Sequence, residues 1–211
     1  MDQLRLSPSR VNDFTNCPQL YKYRAILNLP EEISLDAERG RLVHSVLEDL
    51  FELPRTKRDL SEASAILPEA WARQLESKPE LAQLVSDSKE WLDRAHSLLQ
   101  SYFTLEDPST FDSTFRELHL ERDLKESVYL HGYVDRLDVA PTGEVRIVDY
   151  KTGKSPKPGW EEKALFQLRV YALLYWRNEG VLPRLLQLLY LGDGRTIKSS
   201  PSERELEATE R

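Results

Sequence analysis

Val43, Val46, Leu47, Leu50 and Phe51 recur at the i, i+3, i+4, i+7, i+8 spacing of one buried helix face. They predict an amphipathic helix over residues 36–53, ended by Pro54. Upstream, Ser7 is placed to cap a first helix and Pro8 suits its first position. A second short helix is expected from Pro18. Residues 59–105 read as further helices broken at Pro68 and Pro79, with 87–103 the longest of them. The period then drops to two. Over residues 114–124, Phe115, Glu117, His119 and Glu121 fall on one side and Leu118 and Leu120 on the other. Residues 127–140 and 144–151 read as strands joined at "PTG", a turn signal with glycine at its end. Helical spacing returns over 160–178, and "LLQLLYL", "GDG" and "RTIK" predict a closing hairpin.

This order predicts an α/β (α+β) fold: a central mixed β-sheet flanked by helices, with a helical insertion at about 55–108. All 211 residues are expected to form a single domain. The last segment has a cap at Ser202, Glu205 three residues on and no stop signal, so the chain is expected to be cut short there.

Apolar residues make up 40% and charged residues 31%, the balance of a soluble globular protein. No apolar run approaches the ~20 residues that span a bilayer. The first ten residues contain no apolar signal-peptide core. Cys17 is the single cysteine, which excludes an internal disulfide and suits a reducing, cytoplasmic setting. A net charge of −7 does not advertise nucleic-acid binding, but it is compatible with a narrow groove for metal and phosphate.

The chemistry is concentrated in "GYVDRLDVAPTGEVRIVDYKTGK", residues 132–154. Asp is depleted in strand interiors, yet Asp135 and Asp149 stand in the two arms of this hairpin. Asp149 and Lys151 are two apart and share a strand face. A three-residue loop at "PTG" sets Asp135 directly opposite Asp149, with Cβ atoms ~5 Å apart. Carboxylates that close repel unless a cation lies between them, and Mg²⁺ is commonly held by one or two carboxylates. Lys151 is then placed to orient or deprotonate a water, or to neutralise developing charge. The plain alternative is a salt-bridged pair on an exposed hairpin face. The apolar residues before each Asp argue for central strands, where an unpaired carboxylate is costly.

"GYVDRLDV" and "VDYKTG" resemble the two catalytic strands of the PD-(D/E)XK nuclease superfamily, in particular its RecB-like branch, which includes the CRISPR-adaptation nucleases. "GRLVHSVLE" resembles that branch's histidine helix, "FQLRVYALL" its Q-x-x-x-Y helix, and "LSPSRVNDFTNCPQLYKYR" its N-terminal segment. The resemblance runs in order from residue 6 to about residue 191 and implies a restriction-endonuclease-like core. It implies that His44, Asp135, Asp149 and the main-chain carbonyl of Tyr150 hold Mg²⁺ or Mn²⁺. It makes Asp135, Asp149 and Lys151 catalytic, with Gln167 and Tyr171 binding nucleic acid and Tyr171 able to stack. The implied activity is hydrolysis of DNA, more as an exonuclease on single strands or ends, in repair or recombination and beside a helicase or repair complex. Many members hold a [4Fe–4S] cluster on four cysteines. Cys17 is the only one here, so the cluster is expected only in a longer parent chain, and Cys17 is expected to be partly buried.

Arg136 faces away from Asp135's side and reads as structural. Glu121 reads as a solvated residue, or a second-metal ligand through water. His96, His119 and His131 read as surface or boundary residues. Two rival readings remain: a non-catalytic DNA-binding or scaffold module of the same fold, and a metal hydrolase of small phosphate esters.

Overall fold

The computed structural model describes residues 4–125 and 128–211. Ser127, expected to open a strand, lies outside them. The elements run β1 (Leu4–Leu6), α1 (Pro8–Asn16), α2 (Pro18–Tyr21), a π-helical turn (Lys22–Ile26), α3 (Leu35–Glu52), α4 (Leu60–Ser77), α5 (Leu81–Leu84) and α6 (Ser88–Leu105). They continue β2 (Phe115–Lys125), β3 (Val128–Val139), β4 (Val145–Lys151), α7 (Glu161–Glu179), β5 (Leu185–Tyr190), β6 (Arg195–Ser199) and α8 (Glu203–Glu210). Local caps fix several boundaries as expected. Ser7 accepts from the N–H of Arg10, with Pro8 opening α1, and Ser202 and Glu205 complete a capping box at α8.

Among the described residues six strands form one mixed sheet. β4 is central, antiparallel to β3 and parallel to β5, and β6 closes the edge as a hairpin with β5. The "PTG" loop sets the expected register, with Arg136 paired to Val148 and Val139 to Val145. β2 lines one edge of β3 from Leu137 to Val128. The other edge is shared: β4 takes residues 136–139, and β1 runs parallel to residues 128–130. Between those stretches β3 and β4 part. β1 is a strand that the sequence reading did not anticipate.

Helices cover both faces, as the α/β expectation requires. On one face α3, α4 and α6 bury Leu47, Leu50, Trp71 and Leu99 against Val148, Tyr150 and Leu189. On the other, α7 and Leu206 of α8 pack on Val134, Leu137, Ile147 and Leu188. One expectation about the helices fails. Pro68 lies inside α4 rather than breaking it. Pro68 is on the exposed side, where water can replace the lost hydrogen bond, while Ala63, Leu67, Ala70 and Trp71 are buried on the other side. A mid-helix proline costs about 3 kcal/mol; burying a large apolar side chain returns about 1.5–3 kcal/mol each.

Candidate functional site

The gap between β3 and β4 is where the chemistry collects. In the β3 ladder Val134 and Leu137 both face the α7 side, three residues apart, with Arg136 on the α3 side. The alternation therefore slips at Asp135. β2 slips in the same row: Glu117 takes a left-handed φ of +46°, and Leu118 faces α7 while Arg116 reaches Glu52 on α3. The β2–β3 register places Glu117 across from Asp135, but the two are the one unpaired row between Phe115 and Asp123. A non-glycine residue at positive φ is uncommon and carries strain of about 1–3 kcal/mol. The kink turns Glu117 and Asp135 out of the ladder together.

Asp135 turns towards β4. Its Oδ2 accepts the N–H of Tyr150 at 2.7 Å. The carbonyl of the same residue lies 3.0 Å from Nε2 of His44, on α3. A carbonyl only accepts, so Nε2 carries the proton. Burial pushes His44 below its usual value, although the nearby carboxylates of Asp149 and Glu117 pull the other way. The neutral ring then turns the Nδ1 lone pair towards Asp135 Oδ2, 3.6 Å away. One ligand atom from each of His44, Glu117 and Asp135 lies within 4.8 Å of the other two. Burial and Asp135 push Glu117 up to about 7. Burial, followed by the charge of Asp149, holds Asp135 well above the usual carboxylate range. Three acceptors converging in a desolvated place call for a proton or a cation between them, and a hard divalent ion with carboxylate and imidazole donors fits that set.

Asp149 and Lys151 stand on the α7 side of β4. Asp149 is 2% exposed, and its Oδ2 is 2.7 Å from Lys151 Nζ. Nζ also donates to Gln167 Oε1 at 3.0 Å, and Gln167 Nε2 donates to Tyr171 Oη at 2.8 Å. Burial disfavours the ammonium, but Asp149 outweighs it and holds Lys151 above its ordinary value. Lys151 is therefore a cation at neutral pH.

The structure thus brings His44, Asp135 and the Tyr150 carbonyl together at the split, and links Asp149, Lys151, Gln167 and Tyr171 in one chain beside it. Two expectations need correction. Tyr171 cannot stack on a base, because its ring is 4% exposed and covers Gly132 so closely that a Cβ there would stand 2.5 Å from Tyr171 Cε1. Cys17 is exposed, since it serves as the joint between α1 and α2. Glu121 is exposed, as its solvated reading has it, and contacts Tyr129 and His119. Arg136, read as structural, is fully buried: it bonds Tyr150 Oη at 2.7 Å and both Glu106 oxygens, with Asp138 beside it. Glu117 is the site residue the sequence reading missed. Its alternation with Leu118 was visible; its register to Asp135 was not.

Residues 5–211 match the PD-(D/E)XK nuclease superfamily. Among curated proteins no relative matches. A crystal structure of a candidate exonuclease from Eubacterium rectale superposes with a TM-score of 0.63 at 15% identity, covering 97% of this chain and 75% of that one. At that identity the likeness is one of fold. No helix among the described residues is long and apolar enough to cross a membrane.

Proposed function

The chain belongs to the PD-(D/E)XK nuclease superfamily, and from that premise we propose that it is a divalent-metal-dependent deoxyribonuclease of the RecB-like branch. In this reading it is an exonuclease that acts on single strands or DNA ends in repair or recombination. The observation that carries the proposal is the convergence of His44, Glu117 and Asp135 at the β3–β4 split, with the Asp149–Lys151 pair beside it.

His44, Asp135, Asp149 and the Tyr150 carbonyl would hold Mg²⁺ or Mn²⁺, with Glu117 as a further ligand; for His44 and the carbonyl to share one ion, the ring proton that joins them in the metal-free fold would move to Nδ1. Once bound, the ion supplies positive charge that polarises the scissile phosphate and acidifies the attacking water. The remaining work belongs to the chain. Tyr150 fixes the acceptors on both sides, through its N–H to Asp135 and its carbonyl to His44. Lys151 enters as an ammonium, so its part is to orient the nucleophile and offset charge on the phosphoryl oxygens rather than to take up a proton. Gln167 and Tyr171 position Lys151, the first by direct hydrogen bond and the second through Gln167.

The test is incubation of labelled single- and double-stranded DNA with Mg²⁺ or Mn²⁺, using wild type, Asp149→Ala and Lys151→Ala. Cutting by wild type alone is expected. Metal-independent binding with no cutting would instead support a scaffold module, and turnover of small phosphate esters alone would support a different hydrolase.

A further inference from the structure

A cleft of about 510 Å³ opens directly from Lys151 and Gln167, between α1 and the segment leading into α7. Its walls carry Asn16, Lys157, Trp160 and Lys163. Trp160 is 62% exposed, the most exposed large apolar side chain among the described residues, whereas Trp71 and Trp91 are buried. The fold gains nothing from an indole left in water at the mouth of a cleft. Lys163 Nζ donates to Asn16 Oδ1 at 2.6 Å, and neither Lys157 nor Lys163 has a carboxylate partner among the described residues. Two lysines without a carboxylate partner therefore stand in the same cleft as an exposed indole.

We infer that this cleft is the subsite for an unpaired nucleotide next to the scissile phosphate, with Trp160 stacking on its base and Lys157 and Lys163 holding flanking phosphates. The inference rests on the nuclease reading above and adds to it the residue that selects unpaired strands. The chemistry requires this occupant. An indole face exposed at a cleft offers stacking to any base, without regard to sequence. A base inside a duplex already has both faces covered, so only a single strand or a frayed end can use the platform. Lysines lining the same cleft supply the backbone attraction that single-strand grooves combine with aromatic platforms. Base stacking and backbone attraction do not depend on the sugar, so the shared chemistry is an unpaired nucleic-acid strand, of DNA or RNA.

The test is tryptophan fluorescence titration of the full chain with oligothymidylate, oligouridylate and a blunt DNA hairpin closed by a glycol linker, so that it has no unpaired base, in EDTA so that no strand is cut. Both single strands are expected to quench the emission and the hairpin to do so far less; a preference between the two single strands would identify the natural sugar. Trp160→Ala is expected to remove the quenching and weaken single-strand binding by about 5- to 150-fold, the worth of one stacked base. Trp160→Phe should restore part of the affinity. Manganese-dependent hydrolysis of bis(p-nitrophenyl) phosphate, a diester without a base, should be the same in wild type and Trp160→Ala. Unchanged binding in Trp160→Ala, or equal binding of hairpin and single strand, overturns the inference. So does a parallel loss of the small-diester reaction, which would make Trp160 structural. If wild type cuts DNA while Trp160→Ala binds and cuts equally well, the subsite falls and the nuclease reading stands. If quenching depends on Trp160 but no substrate is cut, the subsite stands and the nuclease reading falls.

Discussion

Lys151 Nζ lies 2.7 Å from the buried carboxylate of Asp149 while donating a hydrogen bond to Gln167. The ammonium is thus held from two directions before any substrate arrives. Removing it should cost rate and also some stability, because it leaves the buried Asp149 carboxylate without its ionic partner. Lys151→Ala is expected to lower kcat on DNA by about 10²–10³-fold, the range for losing one pre-organised charge-stabilising donor. Lys151→Arg should not restore it, because a planar guanidinium does not place a point charge at Nζ. Steady-state kinetics, with circular dichroism to confirm folding, decides between a catalytic loss and a folding defect.

Gly132 offers a test of the positioning chain at a distance. A Cβ there would lie 2.5 Å from Tyr171 Cε1, so Gly132→Ala must displace the Tyr171 ring. Overpacking of this kind costs about 1–3 kcal/mol of stability. The specific expectation is a fall in kcat, with little change in KM, in a protein that is still folded at the assay temperature, because Tyr171 moves Gln167 and Gln167 moves Lys151. Unaltered kcat in a destabilised but folded variant would disconnect Tyr171 from the reaction.

The acidic row gives a pH dependence with a definite sign. Glu117 titrates near 4.5 when unfolded and at about 7 in the metal-free fold. Between those values the folded state binds more protons than the unfolded one, so stability is lost as pH rises. Asp135, also raised by burial, acts in the same direction. His44, lowered by burial, acts oppositely below its ordinary 6.5, so the diagnostic window lies above that value. The metal-free protein should lose Tm from pH 6.5 upward to about pH 8, and Glu117→Gln should flatten the decline. Saturating Mn²⁺ should reverse the slope, since metal binding favours deprotonated ligands. Calorimetry in the presence and absence of the ion measures both.

Arg136 should be intolerant of neutral substitution. It is enclosed by Phe51, Phe111 and Tyr150 and paired with Glu106 and Asp138. Arg136→Met would leave those carboxylates with Arg146 as their remaining ionic partner. Breaking a buried ion pair costs about 3–5 kcal/mol, and Arg146 should hold the loss near the lower end of that range. Urea unfolding at neutral pH measures it. A loss below about 1 kcal/mol would mean that Arg146 alone suffices.

The legible parts of this molecule were those that local spacing determines. The buried stripe of α3 places His44, and the "PTG" loop fixes which residues of β3 and β4 meet. The opaque parts depended on contacts far apart in sequence. β1 is three residues long and is a strand only because it reaches β3 more than a hundred residues later. Glu117 sat in a run that looked regularly alternating, and no propensity announces a glutamate at φ +46°. That kink exists because the partner strand slips in the same row. Simple alternation placed Asp135 and Asp149 on a common face; the observed Asp135 instead leaves the ladder to bond Tyr150. Trp160 carried no periodic signal, since what distinguishes it is exposure.

β3 touches three other strands, two of them sharing one of its edges. Fraying at an outer hairpin such as β5–β6 can be local, but displacing β3 dissolves three interfaces and the split at once. Heat or denaturant should therefore leave no native-like but ion-blind intermediate. Loss of affinity for Mn²⁺ and loss of aromatic near-ultraviolet dichroism are expected to follow a single transition curve.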